Sequence, residues 1–138
     1  MTTREFITQA WYGNTKRTTC SSVFADSNGN IFSYGYHYPL LFTLNGKAIR
    51  NVRGYSSTTQ RHIMWSRDVN AIDVVAPRGF RLNGSDDELL QQLIDSQRAH
   101  VDSIKREMDT KKRKDTNVYR WLEHDFIKAT KNLGELLA

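Results

Sequence analysis

His62 and Ser66 stand four residues apart in a segment with helical spacing, an arrangement in which an imidazole can take a hydroxyl proton. Such catalysis also needs an acid to orient the ring. None is identifiable for this pair, which therefore reads as surface polar groups. The His124-Asp125 dipeptide has the form used by metal-dependent phosphohydrolases, but those sites take several more His and Asp ligands from adjacent helices, and His100 alone does not complete a set. Cys20 is the only cysteine, which excludes an internal disulfide and a Cys-based zinc site; with no His near it in sequence, it reads as a packed thiol. Gly13-Asn14-Thr15-Lys16 lacks the spacing of a phosphate-binding loop. The expectation is a non-enzymatic protein with no catalytic residues, metal or cofactor.

What the chain has instead is charge, unevenly placed. Residues 1–84 carry ten Lys and Arg against four acidic groups, a formal +6, whereas residues 85–138 carry ten against eleven, −1. A positive field of this kind attracts polyanions, nucleic acid first among them. Lys16, Arg17, Arg50, Arg53, Arg61 and Arg67 are the candidate phosphate contacts, and Arg50, Arg53 and Arg61 flank a Gly54-Tyr55-Ser56 turn that leads into a helix start.

The elements that must position these residues fall into two parts. Seven of the eight Gly and both Pro lie before residue 85, as turn-rich β structure requires, and the remainder has a helical composition. The expected fold is α+β: a basic head over residues 1–84, an antiparallel meander of about five strands with one short helix, and a helical tail over 85–138. In the head, residues 5–12 and 18–25 read as strands, and Asp26-Ser27-Asn28-Gly29-Asn30 turns the chain back into a strand from Ile31. Asn45-Gly46 between two β-prone runs gives a hairpin, with Pro39 at an edge or bulge. Phe32, Tyr34, Tyr36 and Tyr38 alternate along a supposed strand, so their rings share one face, as the sheet's inner face or as a stacking platform for bases. Ser57 and Gln60 have capping-box spacing for a helix near Thr58 that turns Ile63 and Met64 inward, and residues 71–75 read as a further strand.

The stretches Phe32-Ser33-Tyr34-Gly35 and Tyr55-Ser56-Ser57-Thr58-Thr59-Gln60-Arg61-His62 resemble a family of uncharacterised phage-associated domains, in which a β-meander carrying YSYG precedes YS-x-TT-x-RH at a helix start. The resemblance covers roughly residues 15–75. It implies a phage origin, and hence the host cytoplasm, together with the meander fold; it implies no catalytic residues.

In the tail, Ser85 and Glu88 form a second capping box. Leu90, Ile94, Gln97, Val101, Ile104 and Met108 then recur at heptad spacing. The basic run 111–114 interrupts the seam, and a second helix carries Val118, Leu122, Phe126, Ala129, Leu133 and Leu136. Two such helices form a hairpin or a kinked rod. A hairpin without a third layer leaves one side uncovered, so Leu90, Ile94, Val101, Ile104 and Met108 are expected to bury against a second copy in a homodimer. Neither part contains an apolar run of transmembrane length, and no membrane partner is expected. Two functions fit: a small accessory protein binding nucleic acid or a nucleotide-containing ligand through the basic head, or a protein-binding inhibitor of a host defence or replication complex, including a nucleoprotein one.

Overall fold

The computed structural model describes residues 1–138 and is α+β, with six strands in one sheet and four helices. Strands β1 (Thr19–Cys20), β2 (Val23–Ala25), β3 (Ile31–Ser33), β4 (Pro39–Leu44) and β5 (Lys47–Asn51) pair antiparallel in chain order, and β6 (Ile72–Val74) joins β5 in parallel. A parallel neighbour needs a crossover, and helix α2 (Ser57–Trp65) with the 3-10 turn Ser66–Asp68 provides it. Helix α1 (Thr3–Trp11) precedes the sheet; α3 (Asp86–Asp109) and α4 (Asn117–Leu137) follow it.

Several local expectations change. Residues 5–12 lie mostly in α1 rather than in a strand. Thr2 Oγ1 accepts from Glu5 N–H at 3.1 Å while the Glu5 carboxylate accepts back from Thr2 N–H, and the resulting helix turns Phe6 and Ile7 inward, with Ala10 and Trp11 beside them. The segment 18–25 divides into a hairpin at Ser21, whose φ is +54°. The aromatic row does not share a face: β3 stops at Ser33 and Tyr34 has φ +72°, so Phe32 and Tyr38 are buried while Tyr34 and Tyr36 are exposed. The cap of α2 is Ser56, one residue earlier than its capping-box spacing suggests, and Met64 faces out while Thr59 and His62 join Ile63 inside. The Asn45-Gly46 hairpin stands, with φ +49° and +77°, as does Pro39, which sits opposite Phe32 where the β3–β4 register shifts.

The sheet is apolar on both faces. Leu41 packs with α1 and α2 around Phe6, Ile7 and Ile63, while Phe42, Ile49 and Val74 pack with Leu89, Leu93, Ile94 and Leu136 of α3 and α4. The tail therefore has its third layer, the sheet itself. Ile94 and Ile104 are buried and Leu90, Val101 and Met108 are half-buried within the chain, so the sheet takes up part of the apolar surface on which the expected homodimer rests. The two helices form a hairpin, with the basic run 111–114 in its turn and Thr116 capping α4. Docking is also polar. Gln97, on the seam and buried, accepts from Val75 N–H at 2.9 Å and donates to Ala129 O at 3.1 Å, and Ser96 Oγ donates to Val75 O. At the other end Lys47 donates to the Glu135 and Leu136 carbonyls at the α4 C-terminus.

The pairing Leu41–Arg50–Asp73 runs across β4, β5 and β6 on the α2 side and places a buried charge in the sheet. Arg50 Nη1 donates to Asp73 Oδ1 at 2.7 Å, Nε to Ser66 Oγ at 2.8 Å, and Nη2 to the Ser66 and Val69 carbonyls. Arg67 pairs with the second carboxylate oxygen, and Lys128 approaches it at 3.8 Å. Burial pushes the Asp73 carboxyl up, but Arg67 and Arg50 together hold it below its ordinary range. Asp73→Ala strands Arg50 in the interior and is expected to cost about 3–5 kcal/mol. Urea unfolding of that variant with a midpoint equal to wild type contradicts this role.

Candidate functional site

A crevice of about 200 Å³ opens between the β3–β4 turn, the exit of β5 and the turn after β6. Its walls are held by three local devices. The β3–β4 turn folds the His37 ring over Gly35, where a Cβ would lie 2.9 Å from Nδ1, so only glycine fits without a shift. Tyr38 Oη lies 2.6 Å from Arg53 O and 3.2 Å from Asn51 O, fastening that turn to the end of β5. Burial pushes the Tyr38 phenol pKa up, against the pull of Arg53, so it remains a donor. Asn51 Oδ1 accepts from the Arg53 and Ala76 amides, splicing the two loops that carry Arg53 and Arg78. Gly79, at φ +74°, lets Pro77–Phe80 close as a tight turn that exposes Arg78 and sends Phe80 into the core against Phe42.

Two arginines thus face one opening. Arg53 is half-buried and donates through Nε to Ala76 O; Arg78 is exposed. Neither forms an ion pair, and no acidic residue lines the crevice. Burial lowers the Arg53 pKa, and the like charge of the neighbouring Arg78 adds to the effect. Beside them Tyr55, 61% exposed, lies 5.5 Å from the His37 ring and 5.7 Å from the Tyr38 ring. The arrangement can accept an anion through two guanidinium groups and a flat group against the Tyr55 and His37 rings.

Of the candidate phosphate contacts, Arg53 alone lines this crevice. Arg50 is enclosed in the Asp73 cluster, so its role is structural and its reversal would unfold the sheet rather than only release a ligand. Arg67 is half-exposed but engaged with Asp73. Arg61 is exposed on α2, and Lys16 and Arg17 are exposed on the loop between α1 and β1. Arg78 and the His37–Tyr55 pair were missed. The Pro77-Arg78-Gly79 turn signal was visible, but nothing in the sequence tied that turn to Arg53 across twenty-three intervening residues.

The other candidate chemistry settles into the interior or onto separate surfaces. His62 does not pair with Ser66. Its Nδ1 lies 2.6 Å from Ser33 Oγ, which lies 3.1 Å from Thr59 Oγ1, and all three are buried, so this hydroxyl–imidazole pair has no room for a substrate. Cys20 is buried, with Sγ 3.8 Å from Thr3 Oγ1. His100 and Asp125 line a cleft between the sheet and the tail, and His124 lines a separate groove on α4. No helix is long and apolar enough to cross a membrane. Comparison with family models, curated proteins and solved structures finds no match to this chain.

Burial lowers the pKa of both His62 and His100 from the ordinary 6.5; at His100 the charge of Arg53 adds to the effect and Asp125 opposes it. Below pH 6.5 the unfolded chain therefore binds more protons than the folded one, and stability falls as the pH drops through that value. The melting temperature is expected to be lower at pH 5.5 than at pH 7.5, with a shallower fall in His62→Gln. Equal melting temperatures in wild type contradict the assignment.

Proposed function

We propose that this chain is a small, non-enzymatic accessory protein whose basic head binds a nucleotide-containing ligand in the Arg53–Arg78 crevice, with phosphate on the two guanidinium groups and the base against Tyr55 and His37. The observation that carries the reading is the pair of arginines, mutually close and without a carboxylate, beside an exposed ring pair. Arginine recognises phosphate through paired N–H groups, and aromatic faces accept any base. The resemblance of residues 15–75 to phage-associated domains supports a phage-type role, with action in the host cytoplasm. The second reading, a protein-binding inhibitor of a host defence or replication complex, is favoured by Trp121 and Val118, which stand three residues apart on α4 and are both exposed.

Titration calorimetry with a nucleoside monophosphate separates the two. Arg78→Ala removes charge-assisted hydrogen bonds worth about 1.5–3 kcal/mol, and Tyr55→Ala removes a stacking contact worth about 1–3 kcal/mol. Each substitution is expected to weaken binding about tenfold or more without lowering the melting temperature, since both side chains are exposed. Absence of heat with wild type, or affinities equal to wild type in both variants, favours the inhibitor reading.

A further inference from the structure

The crevice is not isolated. Asn51 and Arg53 line it, while Val52, between them, lines the cleft on the other side of the same backbone. That cleft, about 480 Å³, separates the sheet from the tail and presents Arg67, His100 and Lys128. Lys128 also lines the groove on α4, with Arg120, His124 and Lys131, and a fourth depression, where Arg67 and Lys131 meet it again. Four depressions therefore adjoin, and three share Lys128.

The α4 positions are 120, 124, 128 and 131, spaced 4, 4 and 3 residues apart. That spacing keeps the groups on one helical face over about 16 Å. Arg120 and Lys131 have no carboxylate within ion-pair distance. Of the five acids nearby two are engaged, Asp73 by Arg50 and Arg67 and Asp68 by Arg4 at 2.8 Å; Glu123, Asp125 and Glu135 form no ion pair and each lines one of these depressions, where five cations, Arg50, Arg67, Arg120, Lys128 and Lys131, also stand. Arg53 and Arg78 beside a ring pair, with Lys128, Lys131 and Arg120 following along a helix, match a chain of phosphates better than a single one.

We infer that the crevice holds one end of a single polynucleotide strand, whose sugar–phosphate backbone continues across the cleft lined by His100 and Lys128 and along the Arg120–Lys131 face of α4. The inference rests on the nucleotide reading of the crevice and specifies its ligand as single-stranded nucleic acid rather than a free nucleotide. A protein partner with an acidic helix would use the α4 face but not the rings at its end.

Fluorescence anisotropy with 5′-labelled oligothymidylates, alongside competition by thymidine monophosphate, tests it. The octamer is expected to bind at least about tenfold more tightly than the monophosphate, with a log–log salt slope that steepens by roughly 0.7 for each added phosphate contact. Arg120→Glu with Lys131→Glu is expected to weaken the octamer about tenfold or more while leaving monophosphate competition unchanged; Arg120→Lys with Lys131→Arg, which keeps both charges, should retain octamer binding. Circular dichroism melts of the variants confirm that the fold persists. If both ligands depend on Arg78 but the octamer binds no tighter than the monophosphate, or ignores the charge reversal, the strand path is wrong and the crevice reading stands. If neither ligand responds to Arg78→Ala, the crevice reading itself has failed and the inference falls with it.

Discussion

The buried pairing of Arg50 with Asp73 is the constraint on which the rest of the molecule depends. A guanidinium held inside a sheet must have its N–H groups satisfied, and here one carboxylate, one hydroxyl and two carbonyls do so. Those partners come from β6, from Ser66 at the start of the 3-10 turn and from Val69, the residue that follows it. One side chain thereby fixes the parallel edge of the sheet and the return of the crossover together. With Asp73 anchored on one face of β6, Val74 must face the other, where α3 and α4 lie. Lys128 and Arg67 then approach the same carboxylate from the tail and from the turn, so head and tail meet at a charged seam rather than at a separate interface.

A second consequence concerns the loops just beyond these strands. Register between β5 and β6 brings Asn51 opposite Val74, and Asn51 then bonds the amides of Arg53 and Ala76. Two chain segments leave the sheet side by side, each carrying an arginine, and neither arginine finds an acid. Elsewhere Arg4 pairs with Asp68 and Arg113 with Asp115. Leaving two close cations without a counterion has an electrostatic cost, and an arriving phosphate removes it. The ring pair beside them adds a flat apolar surface that water solvates poorly.

Much of this fold was legible from local signals. The Asn45-Gly46 hairpin, the Pro39 irregularity and the Ser85 helix start each depend on residues a few positions apart, and each stands where the sequence placed it. The errors arose where two local signals competed or where distance decided. In residues 5–12, β-prone side chains lost to the Thr2–Glu5 capping box and the inward pair Phe6–Ile7. In residues 32–38, alternation suggested a strand, but the positive φ at Tyr34 turned the chain. The tail's seam was visible, yet its partner was not: only the apolar alternation of Phe42, Ile49 and Val74 on the second sheet face shows what covers it. Charge counting identified Arg53 as a candidate but gave Arg50 the same weight, because composition does not reveal that Asp73 lies on the neighbouring strand. Arg78 entered the site through a contact between segments far apart in sequence.

The central claim is that the arginine crevice is where this protein meets a phosphate-bearing ligand. Amide and side-chain NMR shift mapping during titration with a nucleoside monophosphate tests it most directly. The account predicts perturbations concentrated at His37, Arg53, Gly54, Tyr55, Arg78 and Gly79, with the Arg50 guanidinium resonances unchanged because they are sealed against Asp73. Perturbations confined to Lys16, Arg17 and Arg61, or no perturbation at saturating ligand, would contradict it.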